Sequence, residues 1–130
     1  MSKFHTKLLF ISAAIFNALV AIPPLLYFQP TAKFLELDLP SPPAILFYKI
    51  SMALVLWLGW SYYLIARDPK KYRPFILFGV GAKLIFIVFT IYPWQFPFIP
   101  LPTKILMGID LIYIVLFLSY YRQTATLDSK

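Results

Sequence analysis

Three charged residues and one asparagine lie inside long apolar stretches of this sequence, where such side chains are rare. Lys49, Lys83 and Asp110 carry a charge, and Asn17 is their uncharged companion. A charge at the centre of a bilayer costs at least about 2.5–3.5 kcal/mol, so such residues face a bundle interior or water and normally have partners. We therefore expect these four side chains, together with Tyr113, to form one polar cluster.

The expected cluster combines two ammonium groups with one carboxylate, a formal surplus of one positive charge. One interpretation is a binding site for an anionic ligand, a lipid headgroup or a quinone-like carbonyl, closed by aromatic residues. The other is a buried ion pair that fixes the helix registry, with Lys49 reaching the membrane surface. Buried pairs of this kind confer specificity in some proteins while adding little stability. The sequence leaves both interpretations open.

Other kinds of chemistry have little support in the residue types. The acidic residues form no cluster with metal-ligand spacing, the chain has no cysteine, and its single histidine, His5, lies in the N-terminal tail. No Ser–His–Asp set, phosphate-binding glycine loop or histidine pair for haem is recognisable. A proton-carrying role for Asp110 is disfavoured, because a lysine partner stabilises the charged carboxylate. We expect no catalytic residue, metal or cofactor, and the sequence leans towards a protein that is not an enzyme.

Four apolar segments must position the polar cluster, at about 8–28, 44–66, 74–92 and 105–121. A helix of about 20 residues, with a range of roughly 17–25, spans the ~30 Å hydrocarbon core of a bilayer. The composition is 61% hydrophobic and 13% charged, whereas soluble domains typically have about 25% charged residues. The sequence therefore predicts an all-α polytopic membrane protein: a four-helix transmembrane bundle that forms a single domain over residues 1–130.

Prolines and aromatic residues mark the predicted helix ends. Pro23 and Pro24 should kink or end the first helix, and Pro74 should open the third. Aromatic side chains typical of membrane interfaces lie near the segment ends: Tyr27, Tyr62, Tyr63, Tyr72, Trp94, Tyr120 and Tyr121. The connection 29–43 is predicted to be a short amphipathic segment that dips into the interface through its apolar residues: Phe34, Leu35, Leu37 and Leu39.

Helical spacing predicts which residues of each segment face the bundle interior. The expected inner faces are Ala13, Asn17 and Ala21 in the first segment, Lys49, Ala53 and Trp60 in the second, Gly79, Lys83, Phe86 and Thr90 in the third, and Leu106, Asp110, Tyr113 and Phe117 in the fourth. The small residues on the first segment would allow a close approach of a neighbouring helix.

Lysine and arginine are distributed unevenly between the two predicted sides of the membrane. Eight fall on one side: Lys3, Lys7, Arg67, Lys70, Lys71, Arg73, Arg122 and Lys130. Only Lys33 and Lys104 fall on the other. By the positive-inside rule, both termini and the loop 67–73 are cytoplasmic, which predicts a multi-pass protein of the inner (plasma) membrane.

The loop 67–73 contains four basic residues and Asp68, a net charge of +3. Each basic residue near an anionic leaflet contributes about 1 kcal/mol to membrane attraction. Either the loop only anchors the topology, or it contacts anionic lipid specifically through its basic residues: Arg67, Lys70, Lys71 and Arg73. Nucleic acid is not an expected partner, because the basic residues outside the apolar segments are confined to particular loops and tails and form no surface interleaved with aromatics.

Three short motifs follow one another through the middle of the chain: LIARDP at 64–69 with KYRPFI at 71–76, then Gly79, Gly81 and Lys83, then DLIY at 110–113. In this order they resemble the small bacterial four-helix membrane proteins of the DoxX-like type. The resemblance implies a four-helix bundle in the inner membrane, and some members of the broader group are associated with quinone-linked or redox-accessory roles. No catalytic assignment carries over, because no matching catalytic motif is present.

The leading functional prediction is a small inner-membrane accessory or binding protein whose polar cluster holds a lipid-like or anionic small molecule. One alternative is a redox-linked, quinone-associated membrane subunit, and another is an oligomeric transporter or channel. Four helices rarely enclose a wide pathway, and the sequence lacks a GxxxG interface. The expected partners are the lipid bilayer, the small ligand, and either a second copy of the chain or another membrane protein.

Overall fold

Five α-helices and one short 3-10 turn make up the computed structural model, which describes residues 2–94 and 96–126. The helices are α1 (Lys3–Leu26), α2 (Phe28–Phe34), α3 (Pro42–Arg67), α4 (Pro74–Trp94) and α5 (Leu101–Ala125), with the 3-10 turn at Phe96–Phe98. The described residues contain no strand, and α1, α3, α4 and α5 are each long and apolar enough to cross a membrane. The prediction of an all-α chain with four helices of spanning length is confirmed.

The observed helix ends differ from the predicted ones where capping chemistry decides them. The Ser2 hydroxyl accepts a hydrogen bond from the His5 backbone N–H, so α1 begins at Lys3, before the predicted start at 8. Ser41 caps α3 in the same way by accepting from the Ala44 N–H. α5 begins at Leu101 and accommodates Pro102 in its first turn, where a missing N–H costs nothing.

Pro23 and Pro24 lie inside α1, which continues through them to Leu26. The chain then breaks at Tyr27, whose N–H donates to the Pro23 carbonyl and whose φ of −132° is not helical. Because the break is one residue long, α2 follows α1 immediately. The predicted amphipathic connection thus contains a short helix, and its chain reverses after α2 at Glu36, which has a positive φ of 56°.

The four long helices run alternately up and down, since the start of α1, the end of α3, the residue before α4 and the end of α5 all lie at one end of the bundle. Basic side chains from α1, the end of α3 and the α3–α4 connection lie together with the end of α5, around one cavity. We refer to this end as the basic end. The opposite end carries α2, the connection from α2 to α3 and the start of α5.

α1 packs closely along α3, and glycine makes the approach possible. A Cβ at Gly59 would lie 3.1 Å from Asn17 Cβ and 3.3 Å from the Ala14 carbonyl oxygen. The predicted inner face of α1 is confirmed, since Ala13, Asn17 and Ala21 are all buried. Small residues on both helices therefore bring the α1 and α3 backbones together.

The inner face predicted for α3 is wrong. Ala53 is exposed and Trp60 is 51% exposed, whereas the buried residues of this helix are Gly59, Tyr62, Ile65 and Ala66. The prediction placed an apolar tryptophan inside on helical spacing alone. On a helix that is apolar all round, that spacing carries little information, because outward-facing and bundle-facing positions look alike.

The tightest part of the core lies in the half of the bundle nearer the basic end. Phe10 of α1 stacks on Phe117 of α5 with ring centroids 5.0 Å apart. Tyr62 of α3 meets the same Phe117 edge to face at 5.2 Å. All three side chains are fully buried. Aromatic pairs in these geometries contribute about 0.5–1.5 kcal/mol beyond their buried area, so this layer ties α1, α3 and α5 together.

Candidate functional site

Lys83 of α4 and Asp110 of α5 form a buried ion pair between Nζ and Oδ1. The two residues are only 5% and 8% exposed, and theirs is the one salt bridge within the described part of the chain. Both residues lie near the middle of an apolar helix, where bulk water is excluded. Each therefore provides the opposite charge that the other requires. In such surroundings each partner depends on the other, because removing one leaves an uncompensated buried charge.

Three aromatic rings also lie around the Lys83 ammonium. Its Nζ lies 5.3 Å from the ring centroid of Tyr113, 5.4 Å from that of Phe16 and 5.7 Å from that of Tyr62. These distances are within the range of cation–π attraction, which grows when the cation is desolvated. These three rings therefore add to the stabilisation that Asp110 gives to the Lys83 ammonium.

Asn17 and Tyr113 flank the ion pair, and each makes a hydrogen bond to another helix. The Asn17 amide Nδ2 donates to the Val55 carbonyl of α3 at 3.0 Å. The Tyr113 hydroxyl donates to Ser12 Oγ of α1, also at 3.0 Å. The structure thus brings four of the five side chains of the expected cluster into one region. All four of these side chains join helices, since the ion pair itself connects α4 to α5.

Lys49 lies apart from this group. Its side chain is half-buried near the end of the bundle that carries α2. Its Nζ lies 5.6 Å from the ring of Phe28, the first residue of α2. It does not line the cavity beside Lys83 and Asp110. The physical reason is its depth, because Lys49 is two turns from the start of α3 and its long stem reaches the helix end. The expected surplus of positive charge at the cluster is therefore absent.

Tyr62 belongs to the site although sequence spacing assigned it to a membrane interface. The residue is fully buried, its ring faces the Lys83 ammonium, and its hydroxyl has no hydrogen-bond partner among the described residues. Most buried hydroxyl groups in proteins have a partner, so an unpaired one requires an explanation. The signal that could have identified Tyr62 is its position three residues after Gly59, on the face where α3 meets α1.

A small cavity opens beside the ion pair. Its volume is about 90 Å³, and its polar wall consists of Asn17, Tyr62, Lys83 and Asp110. The remaining wall is apolar: Phe16, Val20, Met52, Val55, Leu58, Ala82, Phe86 and Leu106. At roughly 30 Å³ per water molecule, this space would hold about three waters or the polar end of a larger molecule.

A second, larger cavity adjoins the first on the side towards α2. Its volume is about 550 Å³, and most of its wall is apolar. The connection after α2 forms one side of it through Leu35, Leu37 and Leu39, which are half-buried. The two cavities share four wall residues: Val20, Met52, Phe86 and Leu106. A polar compartment at the ion pair thus adjoins an apolar compartment of ligand size.

A third cavity, of about 860 Å³, lies at the basic end. Its charged wall residues are Lys3, Lys7, Arg67, Asp68, Lys70 and Arg73. Three of the four residues expected to contact anionic lipid therefore line it. Lys71 does not, and its Nζ instead lies 5.2 Å from the ring of the adjacent Tyr72.

No group of three or more histidine or acidic side chains within residues 2–94 and 96–126 is placed to bind a metal ion. The chain matches no family model, no curated protein and no solved structure.

Proposed function

We propose that the protein is a multi-pass component of the inner (plasma) membrane in which α1, α3, α4 and α5 cross the bilayer. The basic end, with both termini and the loop 67–73, faces the cytoplasm. Two observations support this arrangement: the length and apolar character of the four helices, and the grouping of basic side chains at one end of the bundle. α2 then lies at the opposite membrane surface.

Within that membrane, we propose that the bundle binds a lipid-like small molecule. The polar end of the molecule lies at Lys83 and Asp110. Its apolar chain lies in the larger cavity, whose wall includes residues of α2. The observation that carries the proposal is the shared wall between the polar and the apolar cavity. An elongated amphipathic molecule is the kind of ligand that two such adjoining compartments fit.

The charges favour a neutral polar end over an anionic one. Asp110 already neutralises Lys83, and Lys49 lies near Phe28 rather than at the cavity. A carbonyl or hydroxyl group would suit the site, since it can accept from Lys83 and from the unpaired hydroxyl of Tyr62. An anion would instead compete with Asp110 for the same ammonium group.

The test is native mass spectrometry of the gently solubilised protein, with lipid extraction from the same sample. We expect one small molecule to be retained per chain by the native protein. Tyr62→Phe should reduce this retention, because it removes one hydrogen-bond donor while leaving the ring in place. Phe86→Trp should also reduce it by filling the junction between the cavities. Loss of a hydrogen bond to a neutral group corresponds to about 0.5–1.5 kcal/mol, or a roughly two- to tenfold weaker affinity.

Tyr63→Phe is the matched control, since this neighbouring tyrosine is exposed and does not line the two cavities that form the site. It should retain the molecule as the native protein does. A native preparation that carries only bulk lipid in varying numbers would contradict the proposal. So would a bound molecule that all three variants retain equally.

A redox-linked role is the second candidate, because a quinone is a lipid-like molecule with a carbonyl head and a long apolar tail. The adjoining cavities would fit that shape, and the resemblance to DoxX-like proteins, itself still a prediction, points the same way. Ultraviolet absorbance of the extract distinguishes this role from simple lipid binding. A quinone spectrum that changes on reduction would support it, and an extract with no redox-active absorbance would contradict it.

A further inference from the structure

We infer that the cavity at the basic end is a binding site for a phosphate group, separate from the site at Lys83 and Asp110. Five cationic side chains and one carboxylate line it: Lys3, Lys7, Arg67, Lys70 and Arg73, with Asp68. They come from two separate stretches of the chain, namely the start of α1 and residues 67–73, which run from the last residue of α3 to the residue before α4. A loop that served only to fix the topology would not require such a convergence.

Among the described residues, the cations of this cavity outnumber its carboxylates. None of its five cations has a carboxylate partner within 4 Å in the described part of the chain. Asp68 is occupied locally, since its Oδ1 accepts from the Lys71 backbone N–H at 3.1 Å. Five cations against one carboxylate leave a formal charge of +4 around about 860 Å³ of space. Like charges held this close repel one another, and an anion with several oxygens would relieve that repulsion.

Contacts with α5 hold the Arg73 guanidinium in a fixed position in the wall of the cavity. Its Nη2 donates to the Tyr121 carbonyl at 2.8 Å and its Nε donates to Thr124 Oγ1 at 3.1 Å, both on α5. The guanidinium also stacks on the Tyr121 ring, 3.8 Å from the centroid. Because these contacts hold Arg73 in place, its charge is presented to the cavity without the entropy cost of ordering a free side chain.

The expected ligand chemistry is a phosphate ester or diphosphate of headgroup size. Basic pockets between membrane helices on the cytoplasmic side are known to take lipid phosphate groups. A soluble phosphate compound would present the same oxygens. The cavity volume suits either source, and the two are separated by the experiment below.

The experiment uses the purified full chain in phosphatidylcholine nanodiscs that contain a small fraction of phosphatidic acid, analysed by native mass spectrometry after release into neutral detergent. In parallel, pyrophosphate is titrated into the detergent-solubilised protein and thermal stability is followed. The variants are Arg67→Ala, Lys70→Ala and Lys71→Ala. All three side chains are exposed and make no side-chain hydrogen bond in the described structure, so their removal should leave the fold intact.

We expect one phosphatidic acid per chain, with affinity reduced roughly fivefold by Arg67→Ala or by Lys70→Ala and unchanged by Lys71→Ala. This pattern would identify a lipid phosphate as the ligand. Stabilisation by pyrophosphate with the same variant pattern, but without retained phosphatidic acid, would also support the site and identify a soluble phosphate. Equal weakening by all three variants would overturn the inference, because it would reflect net charge alone. No preference over phosphatidylcholine together with no effect of pyrophosphate would overturn it as well.

Discussion

The ring of Tyr62 lies directly on the backbone of Gly79. A Cβ at position 79 would stand 2.5 Å from Tyr62 Cε1 and 2.8 Å from the hydroxyl oxygen, closer than non-bonded carbon atoms approach. Position 79 is one helical turn before Lys83, so the missing side chain is what lets the tyrosine of α3 reach the ion pair between α4 and α5. The polar site thus depends on a residue that contributes no side chain to it.

Gly79→Ala should displace Tyr62 and lower the free energy of unfolding by about 1–3 kcal/mol, as overpacking of a close contact does. The measurement is unfolding in mixed micelles as the denaturing detergent fraction is raised. Gly81→Ala is the control on the same helix, because a Cβ there meets nothing within 4 Å. It should leave stability unchanged or raise it by up to about 1 kcal/mol through helix propensity. Equal effects at both positions would show that the Tyr62–Gly79 contact is unimportant.

Replacing only one member of the Lys83–Asp110 pair should be far more damaging than replacing both. Lys83→Leu or Asp110→Leu alone leaves a buried charge without a partner, which typically lowers the free energy of unfolding by about 3–5 kcal/mol. The double leucine variant should recover most of that loss. The same unfolding assay provides the double-mutant cycle. Additive effects of the two substitutions would contradict a direct pair.

Lys49→Leu is the matched control for that cycle, since it removes a lysine from α3 without stranding an acid. Its one described ring contact is with Phe28 at 5.6 Å, so we expect a loss of no more than about 1 kcal/mol. A loss as large as that of Lys83→Leu would mean that Lys49 also supports the pair.

Tyr62→Phe should make the ligand-free protein at least as stable as the native one. The hydroxyl is buried and has no partner among the described residues, and an unsatisfied buried polar group costs about 1–3 kcal/mol. Tyr113→Phe should do the opposite, since it removes the hydrogen bond to Ser12. Thermal unfolding of delipidated protein compares the two variants. Destabilisation by Tyr62→Phe equal to that by Tyr113→Phe would indicate that the Tyr62 hydroxyl is satisfied.

The proposed topology can be tested with single cysteines, because the chain has none of its own. Lys71→Cys should be protected from an impermeant thiol reagent added to whole cells and should react after the membrane is opened. Gln29→Cys, on the exposed surface of α2, should react in whole cells. Labelling of both sites from the same side would contradict four membrane crossings, and the reverse pattern would invert the orientation.

Sequence patterns predicted the long helices well because apolar length and proline position are local properties. They also placed Lys83 and Asp110 at compatible depths, since rise along a helix is fixed at about 1.5 Å per residue. Depth says nothing about which helices are neighbours or how each is rotated. That is why Tyr62 was assigned to an interface. Lys49 was expected at the cluster because its flexible stem could reach inwards, whereas it lies two turns from the start of α3 with its ammonium near Phe28.

The rotation of α3 depends on Gly59 and Gly79, because each allows a close contact with a residue of another helix. Gly59 admits Asn17 and Ala14 from α1, and Gly79 on α4 admits the ring of Tyr62. Each contact joins residues from different helices, so neither leaves a periodic signal in a single segment. The cavities could not be predicted for the same reason, because their walls are assembled from α1, α3, α4 and α5 together.

The pairing of Lys83 with Asp110 also has a consequence for biosynthesis in the proposed topology. The ribosome makes Lys83 27 residues before its partner, so α4 reaches the membrane while its lysine has no counter-charge. A lone lysine at mid-helix opposes lateral release into lipid by about 2.5–3.5 kcal/mol. We therefore expect α4 to remain at the insertion machinery until α5 is synthesised. The two helices would then enter the lipid together as a hairpin in which Asp110 neutralises Lys83.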